Sequence, residues 1–114
     1  MKKVLLGMAL VPTISYASYY ACNGQGLDVQ VTPPPFEMKI KGQGLNSIVS
    51  DVTLTDTFDS IFLGNTKNPP TTFRLTVKGA GFANAGESFE SALMISSALG
   101  IKEVSGITCT RGDD

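Results

Sequence analysis

The 114-residue chain carries few side chains that could do chemistry, and none of them is a histidine. Without imidazole there is no Ser-His or Cys-His nucleophile pair, no histidine general base and no histidine-ligated zinc or copper. The two cysteines, Cys22 and Cys109, are expected to be joined, which removes a thiolate nucleophile or thiolate metal site. Asp51, Asp56 and Asp59 lie close together, and calcium takes several oxygen ligands. A strand through the first two puts them on opposite faces about 17 Å apart, so they read as a solvated strand and turn. Glu87 and Glu90 are the pair a glycosidase-like acid and base would need, but no pattern around them marks a cleft. Arg111-Gly112-Asp113 spells an integrin-recognition tripeptide and reads here as a polar end after the last strand. No phosphate loop, dinucleotide fingerprint or EF-hand spacing occurs. These residues predict no enzyme, no cofactor and no metal.

The elements that must position everything else begin with a leader. Lys2 and Lys3 precede the apolar run Val4–Val11, which Pro12 and Thr13 break. Ser15 and Ala17 are small residues at the positions a signal peptidase reads, so cleavage is expected between Ala17 and Ser18. The run is about half of the roughly 20 residues that span a bilayer. No other stretch is long and apolar enough to be a membrane helix. Residues 1–17 are therefore read as a signal peptide and residues 18–114 as one secreted domain of about 97 residues. The short Lys-Lys signal looks bacterial, which places the domain in a periplasm or outside the cell.

The chain has nine basic and ten acidic residues; losing Lys2 and Lys3 leaves seven against ten. No basic run exists. That excludes nucleic acid, whose phosphates need clustered Lys and Arg, and a polybasic membrane-surface segment. A small domain buries a modest core. In an oxidising compartment two cysteines allow one intramolecular bond, Cys22–Cys109. Closing a loop of about 88 residues restricts the unfolded chain by roughly 4–5 kcal/mol.

The dominant period is two. Phe36–Lys41 and Thr72–Lys78 alternate apolar with charged or polar residues, and Ile48, Val52 and Leu54 alternate with Asp51, Thr53 and Thr55. This is the pattern of strands with one face on a core and one in water. Leu27–Val31, Ile107–Thr110 and Tyr19–Cys22 are shorter candidates. Thr57–Gly64 fits a strand or a helical turn. Glu87–Leu99 has helix-favouring residues, but Ser96, Ser97 and Gly100 interrupt it, and it is assigned as strand. Pro33-Pro34-Pro35 and Asn68-Pro69-Pro70 belong to connections or sheet edges. Gly24-Gln25-Gly26-Leu27 recurs as Gly42-Gln43-Gly44-Leu45, which reads as two similar turns. The alternative is one binding loop used twice. The predicted fold is all-β: a single antiparallel sandwich or small barrel of six to eight strands, with the disulfide joining the first and last strands.

Tyr20-Ala21-Cys22 after a signal, a β-rich chain and a cysteine near the C-terminus give a layout similar to the periplasmic inhibitors of C-type lysozyme. That likeness implies a small disulfide-tied β-barrel. The Ser-Gly-rich loop those inhibitors insert into the enzyme is absent, so no functional residue carries over.

The leading functional expectation is a small, non-enzymatic binding or interaction protein of the bacterial cell envelope, with a protein or an envelope glycan as partner. Its candidate contact loop is Gly79, Gly81, Phe82, Asn84 and Glu87; Phe82 is the residue expected to be exposed if the loop carries an apolar contact, with a core position as the favoured alternative. Two alternatives are an inhibitor of a hydrolase such as lysozyme, acting through a surface loop, and a structural subunit of a surface assembly. The oligomeric state is not encoded in any pattern of the sequence.

Overall fold

The computed structural model describes residues 19–67, 69–81 and 83–112. The expected cleavage between Ala17 and Ser18 lies outside them. Nine strands occur among the described residues: β1 (Tyr20–Gly24), β2 (Leu27–Thr32), β3 (Glu37–Gly42), β4 (Leu45–Val49), β5 (Thr53–Asp56), β6 (Ser60–Lys67), β7 (Pro70–Val77), β8 (Ser88–Ser97) and β9 (Gly100–Arg111). They form one antiparallel sheet in the order β4-β3-β2-β1-β9-β8-β7-β6-β5, curled into a half-barrel. The all-β expectation holds, and so does the assignment of the Glu87–Leu99 region as strand.

Nine strands exceed the expected six to eight, and the reason is local. The alternating run from Ile48 to Thr55 is two strands. Asp51 takes a left-handed conformation (φ 56°) and turns the chain between β4 and β5. Aspartate tolerates that region better than most residues. The turn also changes the face: Ile48, expected on the core side with Val52, is 61% exposed, and Val49 is buried in its place. The Thr57–Gly64 region resolves into a turn followed by β6.

Seven of the neighbouring pairs in the sheet join strands consecutive in sequence. The exception is β1 with β9. The sheet is thus two meanders, β1–β4 and β5–β9. They are linked through the chain at residues 50–52 and through hydrogen bonds along β1–β9. That pairing sets Tyr20 opposite Arg111, Ala21 opposite Thr110, Cys22 opposite Cys109 and Asn23 opposite Thr108. Cys22 and Cys109 are bonded across it, with Cα atoms 4.0 Å apart. Such close approach belongs to a non-hydrogen-bonded pair, where opposed side chains lie nearest.

β9 serves both meanders. Its register with β8 shifts between Val104 and Ile107, a β-bulge. Before the bulge β9 pairs with β8 alone; after it, Thr108–Arg111 pair with β1 as well. A bulge bends a strand and increases its twist, and this one turns the sheet from one meander into the other. The two inner faces meet in one core. It contains Val29, Val31, Met38 and Ile40 from the first meander, and Phe62, Phe73, Leu75, Leu93 and Ile107 from the second. The disulfide is fully buried within it. Beside it Tyr19, Tyr20, Phe36 and Phe62 stack edge-to-face at centroid distances of 5.0–6.1 Å, the arrangement ring quadrupoles favour.

The free ends of the sheet also come together. At Gly64 a Cβ would lie 2.6 Å from Val49 and 2.9 Å from Val52. The β4–β5 corner is seated on β6 where the chain has no side chain.

Among the described strands β1–β9 is the one non-local pair, and it joins the two meanders, so the disulfide should carry much of the stability. Replacing both Cys22 and Cys109 by alanine is expected to cost ~2–5 kcal/mol, which for a domain of this size lowers Tm by at least about 10 °C. A calorimetric shift under about 2 °C would mean that β1–β9 holds without the bond.

Candidate functional site

The two Gly-Gln-Gly segments are both two-residue hairpin turns. Gly24 pairs with Leu27 and Gly42 with Leu45. Their central residues all have positive φ: Gln25 54° and Gly26 75° in one, Gln43 51° and Gly44 81° in the other. This is the type I′ geometry, whose twist matches the flanking strands. Glutamine rarely takes such a conformation.

These turns lie side by side at one end of the half-barrel. A Cβ on Gly42 would sit 2.0 Å from the Gly26 carbonyl oxygen, and one on Gly24 would sit 2.7 Å from that of Gly106. The Gln43 amide donates to the Gln25 carbonyl. Gln25 covers Gly106 in the β9 bulge. Lys102 Nζ donates to Gln43 Oε1 at 2.8 Å. Turns and bulge together border a recess of about 410 Å³, lined by Gln25, Gln43, Lys102, Glu103, Ser105 and Gly106 among others. The sequence echo is two similar turns, and the fold brings them into one polar site.

Next to that recess stands the β8–β9 hairpin tip. Leu99 is fully exposed and Ile101 is 73% exposed. They help line a second recess of about 290 Å³ that shares Gln43 and Lys102 with the first. An apolar tip therefore adjoins a rim of amides, one lysine and one glutamate.

The loop expected to make contacts lies between β7 and β8, at the opposite end. It is tied down along its length. Gly79 N–H donates to Asp59 Oδ1 (2.8 Å), and Gly81 N–H donates to the Phe58 carbonyl (2.9 Å). A Cβ on Gly81 would fall 1.8 Å from the Thr57 carbonyl oxygen. Asn84 N–H donates to Glu87 Oε1 (2.7 Å), while Glu87 N–H returns a bond to the Asn84 carbonyl (3.2 Å). Gly86 N–H donates to Arg111, whose own N–H donates to Glu87 (2.8 Å each). Phe82 lies outside the described residues. Phe58 is the exposed ring beside this loop, against Gly79.

The acidic residues singled out above are dispersed among structural duties. Asp59 holds Gly79, Asp56 accepts from Ser60, and Asp51 forms the β4–β5 turn. Glu90 meets Lys78 at 4.0 Å on the exposed surface, apart from the Glu87–Asn84 contact. Among the described residues no three His, Cys, Asp or Glu side chains converge. Of the Arg-Gly-Asp tripeptide, the Arg111 guanidinium lies 3.5 Å from the Tyr19 ring centroid, a cation–π contact. Gly112 N–H donates to the Tyr19 carbonyl (2.9 Å), and Asp113 lies outside the described residues.

One polar chain, which starts from the buried Tyr20 and Ser60 and ends on the exposed Asp56, gave no sequence signal. The Tyr20 hydroxyl bonds Ser60, whose oxygen lies 2.7 Å from Asp56 Oδ1 and 3.2 Å from the Ala80 carbonyl oxygen. Burial pushes the Tyr20 phenol above its ordinary value near 10, against the opposing influence of the Arg111 charge and the Ser60 bond. Among the described residues no helix is long and apolar enough to cross a membrane.

Comparison of the chain with protein-family models, with curated proteins and with solved structures finds no match.

Two predictions follow from this geometry. Gly42→Ala meets both a positive φ and the Gly26 carbonyl, whereas Gly44→Ala meets only a positive φ with open space around it. Gly44→Ala should cost about 1 kcal/mol and Gly42→Ala clearly more in the same denaturant titration. Equal losses would mean that the turns are not in contact. As for pH, the Tyr20 phenol is neutral in folded and unfolded chains below pH 10, so its contribution is intact there. Above that value the unfolded chain ionises first and stability falls. An alkaline titration read by phenolate absorbance should lose its latest-ionising step in Tyr20→Phe; loss of an ordinary step instead would contradict the burial.

Proposed function

We propose that this protein is a small, non-enzymatic interaction protein of the bacterial cell envelope, exported to the periplasm or beyond. Its partner is a protein, which it contacts through the end of the half-barrel that carries the β8–β9 tip. One observation carries the reading: two large apolar side chains, Leu99 and Ile101, project into solvent from one hairpin tip beside a polar recess. A small apolar centre with a polar rim is the anatomy of a protein contact. Among the described residues Phe58 is the one large exposed apolar side chain beside the β7–β8 loop, and single exposed apolar residues are ordinary.

Export is supported by the leader-like first 17 residues and by the disulfide, since such bonds persist in oxidising compartments. A non-enzymatic role is supported by the lack of histidine and by the dispersal of the carboxylates among turns and strand ends.

The test is a pull-down from the envelope of the native organism with the wild-type domain and with Leu99→Asp/Ile101→Asp. Both side chains are exposed, so the variant should melt within about 2–3 °C of wild type. The expected result is a discrete envelope protein that binds wild type and is lost by the variant. Recovery of the same protein in the same yield by both would sink the reading. So would retention on peptidoglycan alone, which points to a glycan. If the captured protein is a hydrolase that the domain inhibits, the inhibitor alternative gains.

A further inference from the structure

Two of the four methionines, Met38 and Met94, lie among the described residues. They stand on opposite sides of the sheet. Met38 is fully buried in the core of the half-barrel. Met94 alternates along β8 with Leu93 and Ile95, which are buried in that core. Its side chain is therefore on the outer face, where it is half-buried.

The outer face gives Met94 charged neighbours. Arg74 of β7 is its partner on one side and Glu103 of β9 on the other. Both are exposed. Arg74 Nη2 donates to Met94 Sδ at 3.7 Å. A thioether sulfur is a weak acceptor, so a guanidinium aimed at it makes little use of its charge. An oxygen placed on that sulfur would change the contact into a charge-assisted N–H···O bond, the stronger kind. Glu103, a carboxylate, repels such an oxygen, which directs it toward Arg74.

We propose that Met94 is a site of oxidation to methionine sulfoxide, with Arg74 as the positioning residue that receives the new oxygen. The oxidant is a two-electron oxygen donor of the peroxide class. The sulfur lone pair attacks one peroxide oxygen, so an S–O bond forms while the O–O bond breaks. Sulfur loses two electrons and the peroxide gains them. The transferred oxygen gives its proton to the departing hydroxide, which leaves as water. A sulfoxide inside a core disrupts packing, because it turns an apolar side chain polar. At Met94 the oxygen meets water and a guanidinium, so the fold accommodates it. Met38 is shielded by burial. Neither Met94 nor Arg74 lines the recesses at the Leu99–Ile101 tip, and the inference stands independently of the function proposed for that tip.

The test treats the folded protein with hydrogen peroxide and maps the added oxygen by proteolytic digestion and mass spectrometry. Met94 should gain one oxygen while Met38 stays unmodified until denaturant is added. The oxidised wild type should melt within about 2–3 °C of the reduced form. In Arg74→Ala the same oxidation should lower Tm by about 4 °C more than it does in wild type, the loss of one charge-assisted bond. Each variant is compared with its own reduced form, so packing lost with the arginine itself cancels. A second measurement needs no variant: the guanidinium NMR signals of Arg74 should move on oxidation of the wild type, and those of Arg111 should not. The proposal is overturned if Met94 reacts no sooner than Met38 in the folded protein. It is equally overturned if oxidation lowers Tm by the same amount with and without Arg74, or if the Arg74 signals stay in place.

Discussion

One strand pairing holds this molecule in its shape. β1 and the C-terminal half of β9 make the single contact in the sheet between strands distant in sequence, and the disulfide is set in the middle of it. Every other pairing is a hairpin that can close locally. Local hairpins lose little chain entropy on closing, whereas β1–β9 must close a loop of 87 residues. A covalent bond at that place removes most of the entropic disadvantage from the unfolded chain. The cystine also fills core space between the meanders, so one group serves both as staple and as packing.

The candidate contact surface derives from the same junction. β9 can serve both meanders only by bending, and it bends at the bulge before Ile107. The β1–β2 turn ends against that bulge, with Gly24 on Gly106, and the β3–β4 turn lies against it in turn, with Gly42 on Gly26. The contacts run backbone to backbone, which is why glycine recurs at these positions. Before the bulge β9 pairs with β8 alone, so its first half and the Leu99 tip meet the first meander through side chains, as in the Lys102–Gln43 bond. The unpaired β4 edge has a related origin. Asp51 turns the chain out of the sheet before β4 and β5 can pair, so the curl stops short of a closed barrel.

Much of this was legible in the sequence, and the failures have physical causes. β3 and β7 show plainly because one face meets the core and the other meets water, which period two records directly. The two cysteines announced the terminal pairing that no periodicity encodes. The β4–β5 break was missed because Ile48, Val52 and Leu54 keep period two across it in the sequence, whereas the turn at Asp51 buries Val49 and leaves Ile48 exposed. The twin turns were readable as turns from their glycines. Their contact was not, since it depends on how far the sheet curls and which register each hairpin takes. The chain from buried Tyr20 through buried Ser60 to exposed Asp56 was invisible because serine and aspartate near a turn ordinarily read as solvated. Leu99 and Ile101 continue the apolar content of β8 and β9, so nothing in the pattern separates the tip from the core.

The most direct test of the central claim is residue-resolved hydrogen exchange on the Cys22→Ala/Cys109→Ala protein under conditions where it remains folded. With the staple gone, the amides that link the meanders (Ala21, Asn23, Thr108 and Thr110) should lose protection first and most. Amides within β3–β4 and β6–β7 should keep most of theirs, because those hairpins close locally. Equal loss across the whole sheet, or unchanged protection at β1–β9, would contradict the account.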